Sequence, residues 1–298
     1  MSGRVNDPAD PRDPTAAPGR KADSRIGADF TVRAAAAAVL GGLALVAAWI
    51  GGFWFMAFWF VAAILALWEW QRLIDGERLL ARLAIGALTA VAVAPLALQG
   101  DRLLALIAMA LGAIAAGFAV GQRARGAWAG AGVFYAVAIL AAPVLLRASP
   151  AYGWASILWL FAVVWGADTF AFVGGRLIGG PKLWRRVSPG KTWSGAVVGT
   201  LAGAAAGVIV ATLAVPNGVR LAPIFWLSVA ASIVGQIGDL AESALKRHFA
   251  VKDSSALIPG HGGVLDRLDA FVAAAAFAAV VGWARSDGAW IAAGLFQW

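Results

Sequence analysis

The chain has 298 residues, of which 61% are hydrophobic and 13% charged; an ordinary soluble domain is roughly 45–50% apolar and about 25% charged. A soluble globular fold is therefore excluded, and the formal charge of +8 points to an anionic partner: nucleic acid, anionic lipid or a phosphorylated substrate. With no cysteine and only two histidines, His248 and His261, disulfides, thiolate metal sites, cysteine nucleophiles and multi-histidine metal centres are also excluded. Chemistry then falls to carboxylates, hydroxyls, lysines, arginines and backbone amides.

Residues 1–30 hold Pro8, Pro11, Pro14 and Pro18 and as many acidic as basic groups, which predicts a disordered cytoplasmic tail. No apolar run precedes a cleavage site, so the first long hydrophobic stretch reads as an uncleaved anchor. A membrane span takes about 20 apolar residues. Segments of that kind are predicted at 32–50, 52–69, 83–99, 103–121, 128–146, 153–174, 194–215, 222–241 and 269–285. The expected fold is all-α, a polytopic integral membrane protein with about nine transmembrane helices. Residues 31–150 make an N-terminal transmembrane region of five helices, and residues 151–298 a C-terminal catalytic region of four helices with cytoplasmic loops.

Basic residues accumulate in the cytoplasmic loops of membrane proteins. With the N-terminus inside, twenty of the 24 Lys and Arg fall in inside segments, leaving Arg102, Arg147, Arg220 and Arg285 outside. That split supports the helix count and places the N-terminus on the cytoplasmic side of a multi-pass protein. Gly199, Gly203 and Gly207 line one face of the seventh segment, which allows close helix approach; packing within one subunit is the expectation and a homodimer interface the alternative. Trp68, Trp70, Trp154, Trp193 and Trp290 fall near helix ends and read as interfacial anchors.

Six of the sixteen acidic residues, Asp168, Asp239, Glu242, Asp253, Asp266 and Asp269, sit in or beside the later cytoplasmic loops. Ionisable groups within a membrane cost at least about 2.5 kcal/mol on insertion scales and mark functional sites by default. Asp239, Glu242, Ser243 and Lys246 follow i, i+3, i+4, i+7 spacing and share one helix face, a stripe suited to a cation and the anion it neutralises. The run from Pro259 to Asp269 places Gly260, Gly262 and Gly263 around His261, an expected anion nest of backbone amides. Asp266 and Asp269 then open the ninth helix, where carboxylates are favoured and can hold a hard divalent cation. Ser188-Pro189-Gly190-Lys191-Thr192 fails the spacing of a nucleotide-binding phosphate loop. Lys191 and Thr192 at the start of the seventh helix remain phosphate-binding candidates. Hard-cation ligands with short basic loops on one side of the membrane suit phosphoryl or nucleotidyl transfer.

At these residues the chain resembles the phosphatidate cytidylyltransferases, also called CDP-diacylglycerol synthases. The long C-terminal pattern from Ser243 through Lys246, Arg247, Lys252, Asp253, Ser255, Pro259, His261, Gly262, Gly263, Asp266, Arg267 and Asp269 has the family's spacing. Gly238-Asp239-Leu240, Asp168-Thr169-x-Ala171-Phe172 and Ser188-Pro189-x-Lys191-Thr192 are similar to its upstream elements. The resemblance covers roughly residues 150–285, whereas the first five segments carry no comparable motif. Gly190, Ser194 and Phe172 depart from the usual lysine, glutamate and tyrosine.

The resemblance implies the reaction CTP + phosphatidic acid → CDP-diacylglycerol + pyrophosphate, with Mg²⁺ and a second cation, in the lipid bilayer of the cytoplasmic (inner) membrane and with no nucleic acid partner. Asp239 and Asp266 would be the principal cation ligands, with Asp269 a further ligand or support. Lys246, Arg247, Lys252 and Arg267 would neutralise phosphates. Asp168, Ser188, Lys191, Thr192, Ser243, His261, Gly262 and Gly263 would complete the substrate site. A CTP-dependent polyisoprenoid or phytol kinase is the alternative enzyme, and a cation-relaying transporter the alternative outside enzymes.

Overall fold

A computed structural model describes residues 20–215, 218–258, 262–286 and 290–298, with the side chains of residues 20–34 and 102 outside the description. Among these residues, nine long helices fall on the nine expected segments: α1 Arg20–Ile50, α2 Gly52–Leu73, α3 Leu79–Leu98, α4 Arg102–Ala119, α5 Arg123–Arg147, α6 Gly153–Ile178, α7 Trp193–Ala214, α8 Leu221–His248 and α9 Leu265–Arg285. A short α10, Ala293–Phe296, follows. Seven of the nine, α2, α3 and α5–α9, are long and apolar enough to cross a membrane, while α1 and α4 contribute shorter apolar stretches, Ala35–Ile50 and Leu103–Ala119. The protein is a polytopic helical membrane protein. α1 extends back to Arg20, so residues 20–30, expected in the tail, continue the helix; residues 1–19 lie outside the described residues.

The helices are not the whole fold. Strands β1 (Lys182–Trp184) and β2 (Ser188–Thr192) pair antiparallel, with Lys182 opposite Thr192 and Trp184 opposite Ser188. Gly179, at φ 67°, ends α6, and Pro181 and Pro189 deny this stretch the helix interior. Lys191 thus lies on a strand rather than at the start of a helix. Thr192 is the N-cap of α7, its Oγ1 accepting the Gly195 amide at 3.1 Å.

The small-residue face of α7 packs against α6 of the same chain. A Cβ at Gly199 would lie 2.6 Å from the Ala167 carbonyl oxygen, and one at Gly203 2.6 Å from that of Val163. At Gly207 it would meet Ser228 Oγ of α8, also at 2.6 Å. Side chains at these positions would push the three helices apart.

α5 is the central helix, burying Ala129, Val133, Ala136, Val137 and Leu140. One hydrophobic core runs through both halves of the chain: Trp59 of α2 stacks on Phe271 of α9 with centroids 4.7 Å apart and planes 4° from parallel. Trp70, expected at the interface, is instead buried and donates its indole N–H to the Trp128 carbonyl at 2.8 Å.

Because successive helices alternate in direction, the α2–α3, α4–α5 and α8–α9 connections gather with the hairpin at one end of the bundle. Arg125 pairs there with Asp75 at 3.3 Å. At the other end Arg147 Nε donates to the Ala48 carbonyl at 2.7 Å, and Gln297 Nε2 to Tyr152 Oη at 3.0 Å.

Candidate functional site

The hairpin end of the bundle holds the predicted residues, and the α8 stripe divides between two partners. Asp239 forms an ion pair with Lys191 of β2, and Ser243 Oγ reaches Asp239 Oδ1 at 3.5 Å. One turn further on, Lys246 Nζ stands between Glu242 Oε2 at 2.8 Å and Asp266 Oδ1 of α9 at 2.7 Å.

These two groups differ in access. The side chains of Lys191 and Asp239 retain 28% and 29% of their exposure, whereas those of Glu242 and Asp266 retain 2% and 5%. Around Lys191, Asp168 of α6 and Asp269 of α9 join Asp239 as electrostatic neighbours, and Arg267 lies near Asp168. Three helices thus bring carboxylates towards one strand-borne ammonium. This is the less enclosed part of the site, although the Lys191 ammonium itself is buried against Asp239.

Asp266 is the enclosed part. Its Oδ2 accepts the Gly263 amide at 2.8 Å, the Ser254 amide at 3.1 Å and Ser254 Oγ at 3.0 Å, while Oδ1 takes Lys246. Both oxygens, predicted as principal cation ligands, are therefore engaged by the protein. Of the expected anion nest, the Gly263 amide serves Asp266, while Gly260 and His261 lie outside the described residues; the next amides, of Val264 and Leu265, donate to Glu69 of α2 at 2.9 and 2.7 Å. The glycines let these carboxylates close in. A Cβ at Gly262, where φ is 81°, would lie 2.7 Å from Asp266 Oδ2, and one at Gly263 2.6 Å from both Glu69 oxygens.

The other expected residues separate clearly. Thr192 is buried and its hydroxyl caps α7, also lying 3.0 Å from Ser194 Oγ, so it serves the fold rather than an open phosphate site. Ser194 Oγ donates to the Gly179 carbonyl, tying the hairpin to the end of α6. Arg247 Nη1 donates to the Val251 carbonyl at 3.0 Å, and Lys252 and Arg267 are exposed near the same loop. Ser188 is half-buried on β2. His261 lies outside the described residues.

Glu69 and Ser254 are the residues sequence reasoning missed. Glu69 is fully buried in a segment otherwise read as apolar; taken as a lone acid within a span, it meets the rule that singled out Asp168.

The donor set suits a hard cation, being all oxygen. Among the described residues, no three His, Cys, Asp or Glu side chains are arranged as they stand to hold a metal ion. That is compatible with Mg²⁺, which is usually held by one or two carboxylates together with substrate phosphates rather than by an all-protein cage.

Beside the polar cluster an apolar groove of about 1450 Å³ runs between α4–α5 and α8–α9. Arg123, Trp128, Glu242 and His248 line its hairpin-end part, and Phe134 and Ala276 are among its apolar walls.

Fold and site together describe a multi-pass membrane protein whose carboxylates and lysines are collected at one end of its helices, next to an apolar groove. The chain belongs to the cytidylyltransferase family, whose model matches residues 31–284; the match takes in the N-terminal helices as well as the motif-bearing half. It is 41% identical over 254 residues to the phosphatidate cytidylyltransferases of Brucella abortus biovar 1 and Brucella suis biovar 1, covering 83% of this chain and 91% of theirs. To that of Staphylococcus saprophyticus it is 44% identical over 116 residues, 39% of this chain and 44% of the relative. The protein is thus an enzyme, a nucleotidyltransferase.

Proposed function

We propose that the chain transfers the cytidylyl group of CTP to phosphatidic acid, giving CDP-diacylglycerol and pyrophosphate, at the cytoplasmic face of the inner membrane. The observation that carries this reading is a cluster of carboxylates and lysines at one end of the helices whose member Glu242, paired with Lys246, also lines an apolar groove. A substrate with a phosphate head and acyl chains needs both surfaces at once. The relatives named for the same reaction support it, and the basic residues counted on the hairpin side support the cytoplasmic face.

In this reaction an oxygen of the lipid phosphate attacks the α-phosphorus of CTP. The bond from that phosphorus to the β-phosphate bridging oxygen breaks, and pyrophosphate leaves with the electron pair. A phosphate monoester has a second pKa of about 6, so the nucleophile is already ionised near neutral pH and no strong general base is required. The protein's contribution is positioning and charge neutralisation. Arg247, Lys252 and Arg267 supply exposed positive charge for the phosphates of nucleotide and lipid, and Lys191, its ammonium buried against Asp239, completes the basic set. Lys246 fixes the depth at which Asp266 and Glu242 stand.

Asp239 and Asp269, with Asp168 beside them, would hold Mg²⁺, since Asp266 is already engaged by amide, hydroxyl and ammonium donors. When bound, the ion would neutralise phosphate charge and orient the leaving pyrophosphate.

The test uses CTP labelled separately in the cytosine and in the γ-phosphate, given to purified protein with phosphatidic acid. Cytosine label is expected in lipid, with pyrophosphate released, stopped by chelation and restored by Mg²⁺ without a transmembrane gradient. Label from the γ-phosphate in lipid would instead establish a kinase.

A further inference from the structure

We propose that Glu69, from the N-terminal half of the chain, is a positioning residue of the site: it clamps the α8–α9 loop and the first turn of α9, and so sets where Asp266 and Asp269 stand. The activity part of this proposal rests on the cytidylyl-transfer reading; the structural part does not.

Each carboxylate oxygen of Glu69 accepts one backbone amide; Oε1 also accepts the Ser255 hydroxyl, and Oε2 lies within reach of the Ser254 hydroxyl that it shares with Asp266. Oε1 takes the Val264 amide at 2.9 Å and Ser255 Oγ at 2.6 Å; Oε2 takes the Leu265 amide at 2.7 Å and Ser254 Oγ at 3.2 Å. The first amides of a helix have no partner within it, and a negative charge there is favoured by the helix dipole. Glu69 supplies that partner from 195 residues away in the chain. Among the described residues no lysine or arginine forms a salt bridge with it; its charge is met by two amides, the Ser255 hydroxyl and the Ser254 hydroxyl it shares with Asp266.

The platform behind Glu69 is held just as specifically. The two residues that follow it are anchored to α5: Trp70 donates to the Trp128 carbonyl, and Gln71 Nε2 to the Ala129 carbonyl at 2.9 Å. Arg82 of α3 is buried and donates to Gln71 Oε1 at 2.8 Å. The carboxylate therefore projects from a braced helix end.

Glu69 and Asp266 grip one loop from opposite sides. Ser254 Oγ lies within hydrogen-bonding distance of both, at 3.2 Å from Glu69 and 3.0 Å from Asp266, and Gly263 is compelled to lack a side chain by Glu69 and Ser254. Releasing Glu69 frees Ser254 and Val264–Leu265 together. Asp266 then loses the ordered loop that aims it at Lys246, and Asp269, one turn further along α9, loses its placement towards Asp239 and Lys191.

A glutamine at position 69 would keep the size but present an amide NH₂ where one oxygen accepts both an amide and a hydroxyl. The test compares Glu69→Gln and Ser255→Ala in the purified full chain. It reads amide hydrogen exchange across residues 250–270 without substrate, and kcat and KM for CTP in the cytidylyl-transfer assay. Because charge-assisted hydrogen bonds at buried sites are lost, exchange in Glu69→Gln is expected to rise about tenfold or more in this segment. We expect kcat to fall by about tenfold or more while KM for CTP moves less than about threefold, with Ser255→Ala shifting both exchange and kcat in the same direction by less.

Unchanged exchange in Glu69→Gln would overturn the clamp. Raised exchange with unchanged kcat would overturn its role in the site. Should Glu69→Gln fail to fold, Ser255→Ala decides: altered exchange and kcat support the proposal, and wild-type values in both defeat it. The exchange measurement needs no substrate, so a failure of the cytidylyl-transfer reading would leave its outcome legible.

Discussion

Replacing Lys246 by methionine keeps the stem of the side chain and removes the ammonium that lies 2.8 Å from Glu242 and 2.7 Å from Asp266. The two carboxylates would then face one another with almost no solvent to screen them. Oxygens that share one ammonium at these distances are about 5 Å apart, and unit charges at that separation repel by about 3 kcal/mol at an effective dielectric of about 20. Stranding a buried charge in this way is in line with the about 3–5 kcal/mol measured when one member of a buried pair is deleted.

At about 2–4 °C per kcal/mol for chains of a few hundred residues, Lys246→Met is expected to lower the thermal midpoint by about 6–12 °C. The midpoint is read by tryptophan fluorescence in detergent. The double variant Lys246→Met/Glu242→Gln removes one of the two charges and is expected to regain most of the loss, while remaining without cytidylyl-transfer activity. Equal thermal loss in the single and double variants would refute the reasoning, because it would show that the ammonium does not hold two charges together.

Asp239→Asn and Asp269→Asn are expected to nearly abolish turnover and raise the Mg²⁺ needed for half-maximal activity, with little change in thermal midpoint; an unaltered Mg²⁺ dependence in both would sink the assignment. Asp266→Asn is expected to lower turnover and thermal midpoint together, since its oxygens hold Ser254, Gly263 and Lys246; a midpoint equal to the parent's would contradict that role. Gly203→Leu places atoms into the Val163 carbonyl of α6 and is expected to cost about 1–3 kcal/mol of stability or more. Gly190→Ala, where nothing lies within 4 Å of the added carbon, should melt with the parent, and equal losses in the two would refute the packing argument. Ser194→Glu removes the hydroxyl that donates to Gly179 and is expected to speed amide exchange across residues 182–192; unchanged exchange would show the tie to be dispensable.

Much of the architecture was legible in the chain because it is a local property. Hydrophobic runs of membrane length give helices wherever backbone groups must be satisfied internally, and all nine expected segments became helices. The stripe Asp239, Glu242, Ser243 and Lys246 was legible for the same reason, since helical periodicity alone puts those residues on one face. The hairpin was not. Residues 182–192 are short, basic and punctuated by proline and glycine, and nothing in their pattern separates a strand pair from an irregular loop.

The wiring of the candidate site was less legible than its helices. Sequence places Asp266 at a helix start beside glycines, which fits a ligand-binding carboxylate and a capping carboxylate equally well. Only the folded loop shows that its oxygens face Ser254, Gly263 and Lys246. Thr192 is a similar case: a hydroxyl at a helix start suits a phosphate or a cap, and its buried contact with the Gly195 amide decides for the cap.

The amino-acid sequence by itself determined that this protein is a basic, helical membrane protein with its acidic chemistry on one side, because composition, run length and helical spacing act over a few turns of chain. The tertiary structure alone decided which charges meet across elements. The partner of α9's first amides is Glu69, from a helix near the other end of the chain, and the partner of Asp239 is Lys191, on a strand. A carboxylate's choice between a protein donor and a ligand is made by distances of a few ångströms across helices, and no one-dimensional pattern carries those distances.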